Sequence, residues 1–242
     1  MLDTTEHGDT AVLTLSHGPV NALDLELLTA LPTALAGVAD AAAVVLTGAG
    51  SCFSAGVDLK RIVDGGPEYA AAFLPALSTA VLALFDHPRP VVAAVNGHAL
   101  AGGCVLAAAC DVRLMSGGTI GLTELAAGVP FPTVPLEVMR HAAGPAVDRL
   151  VLTAERLSRE EAHRIGLVEP ADDLLPAALA RATALAAAPP EVYALAKRQL
   201  RAPAHERIAA RRELDDPGVV ALWSAPSTRE RLSGFLARLA AR

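Results

Sequence analysis

Residues 90–104 read Pro90-Val91-Val92-Ala93-Ala94-Val95-Asn96-Gly97-His98-Ala99-Leu100-Ala101-Gly102-Gly103-Cys104. The apolar run Pro90–Val95 predicts a buried strand, and the small residues after it predict a tight turn that opens a helix. The same arrangement stands upstream, where Ala43–Thr47 predicts a strand leading into Phe53-Ser54-Ala55-Gly56-Val57-Asp58-Leu59. Small side chains let a ligand approach the backbone, and a helix start leaves N–H donors without intrahelical partners. Two such turns facing each other would aim two N–H groups at one oxygen, which is the form of an oxyanion hole.

Working outward, Thr10–Ser16 alternates as an opening strand. Leu23–Val38 has helix periodicity despite Pro32. Glu68–Phe85 predicts a second helix, ended by the breaker Pro88-Arg89-Pro90. Strands and helices alternating at this spacing predict an α/β fold with right-handed crossovers. After about Leu185, Pro189-Pro190 punctuates the chain, and three helical segments are predicted: Glu191–Arg201, His205–Leu222 and Ser227–Ala241. In the last, Leu232, Phe235, Leu236 and Leu239 form one apolar stripe, suited either to the chain's own core or to a partner.

Of the 242 residues, 52% are apolar but only 3% aromatic, so the core must be built from Ala, Val and Leu. The net charge is −6 and the 20 Lys and Arg are scattered, which argues against a nucleic-acid partner. A few cations and backbone donors still suffice for an anionic ligand. Cys52, Cys104 and Cys110 fit neither a metal spacing nor a disulfide framework, and reduced thiols are expected. The seven histidines are dispersed without a His-x-x-x-His pair, so no metal site is expected. Met1–Glu6 lacks a signal-peptide pattern, and no apolar run looks long enough to cross a bilayer. A cytoplasmic protein without a membrane partner is the expectation.

Several segments resemble the enoyl-CoA hydratase/isomerase (crotonase) superfamily, in order and at similar spacing. They are Gly18-Pro19-Val20-Asn21-Ala22-Leu23, the Ser54-Ala55-Gly56-x-Asp58-Leu59 turn, the Asn96-Gly97…Ala101-Gly102-Gly103-Cys104 turn, Cys110-Asp111-Val112-Arg113, Ile120-Gly121-Leu122-Thr123-Glu124 and Ala162–Val168. The resemblance implies a spiral of repeated β-β-α turns over residues 1–185. Residues 186–242 would follow as a helical segment that builds trimers, or dimers of trimers, and helps complete neighbouring acyl-CoA sites. It further implies an acyl-CoA thioester as substrate, with coenzyme A arriving as part of it and no permanently bound cofactor.

Carried over by motif, the resemblance places the two hole donors on the Ala55 and Gly102 amides, where they would hold a thioester oxygen as it gains enolate charge. Glu124 is the implied proton-transfer group. Read from its neighbours alone, it is either a carboxyl with a pKa raised by desolvation or an N-terminal helix carboxylate beside Thr123. Substrate and coenzyme A contacts are expected from Ser54, Ala55, Gly56, Asp58, Leu59, Lys60, Gly102, Gly103 and Phe131, with Arg61 beside them. Phe73, Leu77 and Val134 are either acyl-pocket or core residues. Asp58 suits a turn-ordering role. His98 lies in the second turn without a catalytic pattern, and Cys104 and Cys110 have no activating base.

Family hydratases carry a second glutamate immediately after the cysteine of the Gly-Gly-Cys turn. This chain has Val105 there. Adding water benefits from two proton-transfer groups, whereas moving a double bond from C3 to C2 needs only one to shuttle a proton from C2 to C4. Gly128-Val129-Pro130-Phe131-Pro132-Thr133-Val134-Pro135 also replaces the glycine-rich stretch of hydratases. The pattern is closest to Δ3,Δ2-enoyl-CoA isomerases. The alternatives are an enoyl-CoA hydratase and, in another class, a non-catalytic acyl-CoA binding protein. A serine hydrolase would need a Gly-x-Ser-x-Gly elbow, which Ser54 lacks.

Overall fold

Strand–strand–helix units recur four times in the first half of the chain, in a computed structural model that describes residues 1–240 and side chains through Arg238. The first unit is β1 (Leu2–His7), β2 (Thr10–Leu15) and α1 (Leu25–Gly37); the second is β3 (Ala43–Gly48), β4 (Cys52–Ser54) and α2 (Leu59–Phe85). The third is β5 (Val91–Val95), β6 (His98–Leu100) and α3 (Gly102–Ala109); the fourth is β7 (Val112–Met115), β8 (Thr119–Gly121) and α4 (Glu124–Ala127). Then follow α5 (Thr133–Ala143), α6 (Val147–Thr153), β9 (Arg156–Ser158), α7 (Arg159–Arg164), β10 (Glu169–Pro170), α8 (Leu174–Ala186), α9 (Pro190–Ser224) and α10 (Pro226–Ala240).

From the second unit to the fourth, the first strand joins one sheet and the second strand joins another. The larger sheet has the order β1-β2-β3-β5-β7-β10 and the smaller β4-β6-β8-β9. All pairings are parallel except β1 with β2 and β8 with β9. This is the expected α/β spiral. Strands β3 and β5 are almost wholly buried, as parallel strands covered on both faces must be. On one face, Phe53, Phe73 and Phe85 anchor a core otherwise made mostly of Leu, Val and Ala. On the other, Ala178 and Ala182 of α8 pack on Val45, Val92 and Leu114.

Element boundaries differ from the sequence expectation for local reasons. α1 starts two residues late because Asp24 caps it, accepting from the Leu27 amide at 2.9 Å, while Leu23 pairs with Val57. α2 starts at Leu59, capped by Asp58, and runs to Phe85 across a kink at Gly66 (φ 65°, ψ −156°), just before Pro67. With a mean hydropathy of 1.5 over its best window, α2 is long and apolar enough to cross a membrane by composition, contrary to the expectation above. Its apolarity is accounted for by the core, since Phe73, Leu77, Val81 and Leu84 are buried there.

Glu191–Arg201 and His205–Leu222 form one helix, α9, although Pro203 and Pro217 lie inside it. An interior proline costs about 3 kcal/mol, and burial on both sides of each outweighs it. Lys197, Arg201, Ala204 and Ile208 are buried before Pro217, and Val219 and Trp223 after it. Of the predicted stripe in α10, Leu232 is fully buried, whereas Ala241 and the side chain of Leu239 lie outside the described residues.

Successive turns of the spiral touch backbone to backbone. A Cβ at Gly97 would stand 1.9 Å from the Ser51 carbonyl oxygen, a distance no rotamer change can relieve. Gly97→Ala is therefore expected to cost at least about 2 kcal/mol, lowering the thermal unfolding midpoint by roughly 4–8 °C for a chain of this size, as measured by calorimetry against wild type.

Candidate active site

The first turn is assembled by Asn21, which is buried at positive φ (50°). Its side chain donates to the Cys52 and Ala49 carbonyls at 2.8 and 3.2 Å and accepts from the His17 amide at 3.0 Å. Its own carbonyl accepts from Ser54 Oγ at 2.7 Å, and that hydroxyl in turn accepts from the Gly56 amide at 3.1 Å. Segment 18–23 is thereby fastened along the turn. The Leu23 amide donates to the Gly56 carbonyl at 2.8 Å, and the Asp58 amide to the Leu23 carbonyl at 2.9 Å.

These bonds decide which amides are free. The Ala55 amide donates to the Val20 carbonyl at 2.9 Å, so the expected donor on Ala55 is corrected: its N–H is already used within the fold. Gly56, at φ +86°, redirects the chain, and the next amide, that of Val57, donates to no acceptor among the described residues. In the second turn, the Ala101 amide donates to the Gly121 carbonyl at 2.8 Å, and Gly102 opens α3 with its amide likewise unspent. The two turns abut, since a Cβ at Gly56 would fall 2.5 Å from the Leu100 carbonyl oxygen and 3.1 Å from the Gly102 nitrogen.

A cavity of about 350 Å³ opens beside these turns, and Val57, Ala55, Leu100 and Ala101 line it together with Glu124. Glu124 is the first residue of α4, placed there by β8 through Gly121. It is only 7% exposed, and its Oε2 has no hydrogen-bond partner among the described residues. Burial raises its pKa to about 8, against the opposing pull of its own and the Thr123 backbone. The Thr123 hydroxyl makes no capping bond. Glu124 is therefore a buried carboxyl whose pKa is lifted well above the ordinary carboxylate range.

Among the other expected contacts, Asp58, Leu59 and Lys60 line the cavity. Lys60 pairs with Asp64 and Arg61 with Glu26, all four exposed. Ser54 and Gly103 lie beneath the turns rather than in the cavity: Ser54 is fully buried, and a Cβ at Gly103 would sit 2.4 Å from the Ser54 carbonyl oxygen. Phe131 does not line the cavity but packs half-buried on the core. Phe73, Leu77 and Val134 are core residues too. His98 Nδ1 meets Thr119 Oγ1 at 2.9 Å on the surface, and Val105 is buried within α3. All three cysteines are free and buried, with the Cys110 thiol pushed up to about 12 by burial. No metal-ligating cluster of three or more residues occurs among the described residues.

The apolar wall comes instead from residues that the sequence reading had not assigned to a pocket. Trp223, Phe235 and Leu236 line the cavity from α9 and α10 of the same chain, and Val20, Ala22, Ala127 and Val129 complete it. Phe235 and Leu236 line this chain's own cavity. Trp223 Nε1 donates to the Pro130 carbonyl at 2.9 Å, tying α9 to the segment after Glu124. Arg156 of β9 also borders the cavity.

The family model for enoyl-CoA hydratase/isomerase matches residues 5–241. The chain belongs to this family. It is 29% identical over 243 residues to human mitochondrial enoyl-CoA delta isomerase 1, covering 95% of this chain and 80% of that protein. It is 34% identical over 224 residues to the probable enoyl-CoA hydratase EchA17 of Mycobacterium tuberculosis, covering 87% and 85%. The crystal structure of human mitochondrial delta3-delta2-enoyl-CoA isomerase superposes with a TM-score of 0.92 at 27% identity, over 99% of this chain and 98% of that one. The crotonase spiral expected from the motifs is the fold observed.

The environment of Glu124 makes stability depend on pH. Its folded pKa lies above its unfolded value of 4.5, so between the two the folded state binds more protons and stability falls as pH rises. Glu124→Gln, which cannot ionise, should unfold close to wild type at pH 5 and at a clearly higher temperature at pH 9. Equal differences at both pH values would contradict a raised pKa.

Proposed function

We propose that this family member moves the double bond of a 3-enoyl-CoA to the trans-2 position. The observation that carries the reading is the single buried carboxyl in the cavity, Glu124, with Val105 where family hydratases carry a second glutamate. The thioester oxygen would accept from the Val57 and Gly102 amides, the pair left unspent where the two turns meet. Glu124 would take a proton from C2, giving a dienolate whose negative charge the two amides stabilise, and return the proton at C4. Each such donor is worth about 2.7–4 kcal/mol in the transition state. The dipole of α3, positive at Gly102, acts in the same direction.

The acyl chain would lie against Trp223, Phe235, Leu236 and Val129, which offer apolar surface and no second proton donor. Lys60, which lines the cavity, would meet coenzyme A, its partner Asp64 being exposed. The same reading includes a homo-oligomer, for which the exposed Leu152, Leu200 and Leu214 offer apolar surface.

A paired assay on one preparation tests this. It follows 3-enoyl-CoA isomerisation and trans-2-enoyl-CoA hydration across several chain lengths. Isomerisation should exceed hydration by a wide margin, and Glu124→Gln should lose it by about 10²–10⁴-fold with little change in KM. Dominant hydration would instead assign the hydratase reaction named for the mycobacterial relative. As wild-type pH rises through about 8, kcat/KM should climb to a plateau, since proton abstraction needs the ionised carboxylate.

A further inference from the structure

A second cavity, of about 340 Å³, lies where α9 crosses the end of α3 and strand β7, and it shares no lining residue with the substrate cavity. Its ionisable lining is lopsided: Arg113, Lys197 and Arg201 face one carboxylate, Asp111. Asp111 is fully engaged. Its Oδ1 accepts from Arg201 Nη2 at 2.7 Å, and its Oδ2 accepts from Lys197 Nζ at 2.8 Å and from the Val91 amide at 2.7 Å. Arg113 spends Nε and Nη1 on the neutral Leu167 and Cys110 carbonyls, at 2.6 and 2.9 Å.

Arg201 is the clearest sign of a missing partner. Its side chain is 6% exposed, yet Nη1 has no acceptor among the described residues. Phe85 stacks on the guanidinium, with 4.1 Å from Cζ to the ring centroid, which favours the cation but supplies no counter-charge. The next acid, Asp86, is exposed and paired with His205 at 2.7 Å. His141, on the same wall, is held below its ordinary pKa by burial and then by Arg201, Arg113 and Arg207, so it adds a neutral ring. Tyr193 adds a hydroxyl whose pKa burial and then Asp111 raise, keeping it a donor.

Buried cations beyond their anions are costly unless something negative joins them, and an arginine fork matches the geometry of carboxylate and phosphate oxygens. We propose that this cavity binds a small oxyanion, held by Arg201 with Lys197 and Arg113, at a site separate from the substrate cavity. Bound there, it stabilises the attachment of α9, the helix that carries Trp223 to the substrate cavity.

The test is isothermal titration of inorganic phosphate into the full-length protein at fixed ionic strength in chloride buffer. One site per chain is expected. Ala196→Trp, on the exposed rim of the cavity, leaves every ion pair of Asp111 intact and should weaken binding by tenfold or more while preserving the thermal unfolding midpoint. Arg201→Lys keeps a charge for Asp111 but removes the free Nη1, and should weaken binding similarly. Acetate titrated in parallel identifies the ligand class: tighter acetate binding means a carboxylate, tighter phosphate binding means a phosphate, and either upholds the site. Absence of binding by both anions, or equal affinity in wild type and Ala196→Trp, would overturn the proposal.

Discussion

The contact on which the molecule depends is the approach of one turn of the spiral to the next through Gly56, Gly97 and Gly103. At each of these positions a Cβ would lie 2.5 Å or less from a backbone oxygen of the neighbouring turn. Backbone packed on backbone at that distance leaves no room for side-chain adjustment. The relative position of β4, β6 and the start of α3 is therefore set with little freedom. The amides of Val57 and Gly102 inherit that rigidity, and preorganised donors that need not reorient during reaction contribute most to stabilising developing charge.

Around this rigid seam, polar groups are consumed or kept free in a selective way. Asn21 and Ser54 engage the Cys52, Ala49 and Asn21 carbonyls and the Gly56 amide near the first turn, and the Val20 carbonyl takes the Ala55 amide. Among the described residues, the Val57 and Gly102 amides and Oε2 of Glu124 are left without partners there. An unpaired buried carboxyl oxygen is costly to stability. Its retention beside an apolar cavity is the kind of local penalty that functional sites carry.

The far wall is built differently. α9 is held to the core by ion pairs as well as by buried apolar residues: Lys197 and Arg201 pair with Asp111 and Arg207 with Glu137, beside Ala204, Ile208, Val219 and Trp223. Asp216 then accepts from Thr133 at 2.7 Å, and Trp223 Nε1 reaches Pro130. These bonds set where along the core the helix lies. Trp223, and through α10 Phe235 and Leu236, reach the cavity because of it.

The sequence by itself determined the strand–turn–helix repeat, the positions of both glycine turns, Glu124 as the one carboxyl in an apolar frame, and Val105 in place of a second. The repeat, the small-residue turns and the apolar neighbours of Glu124 are local and visible in a short window, while the roles of Glu124 and Val105 came from the family resemblance. Only the tertiary structure decided that the Val57 amide, and not that of Ala55, is free, because the competing acceptor comes from Val20, 35 residues earlier in the chain. It also decided that α10 lines its own chain's cavity, that Phe131 turns to the core, and that two prolines sit inside one continuous α9. Each of those outcomes rests on contacts between residues far apart in sequence, where burial outweighs local propensity.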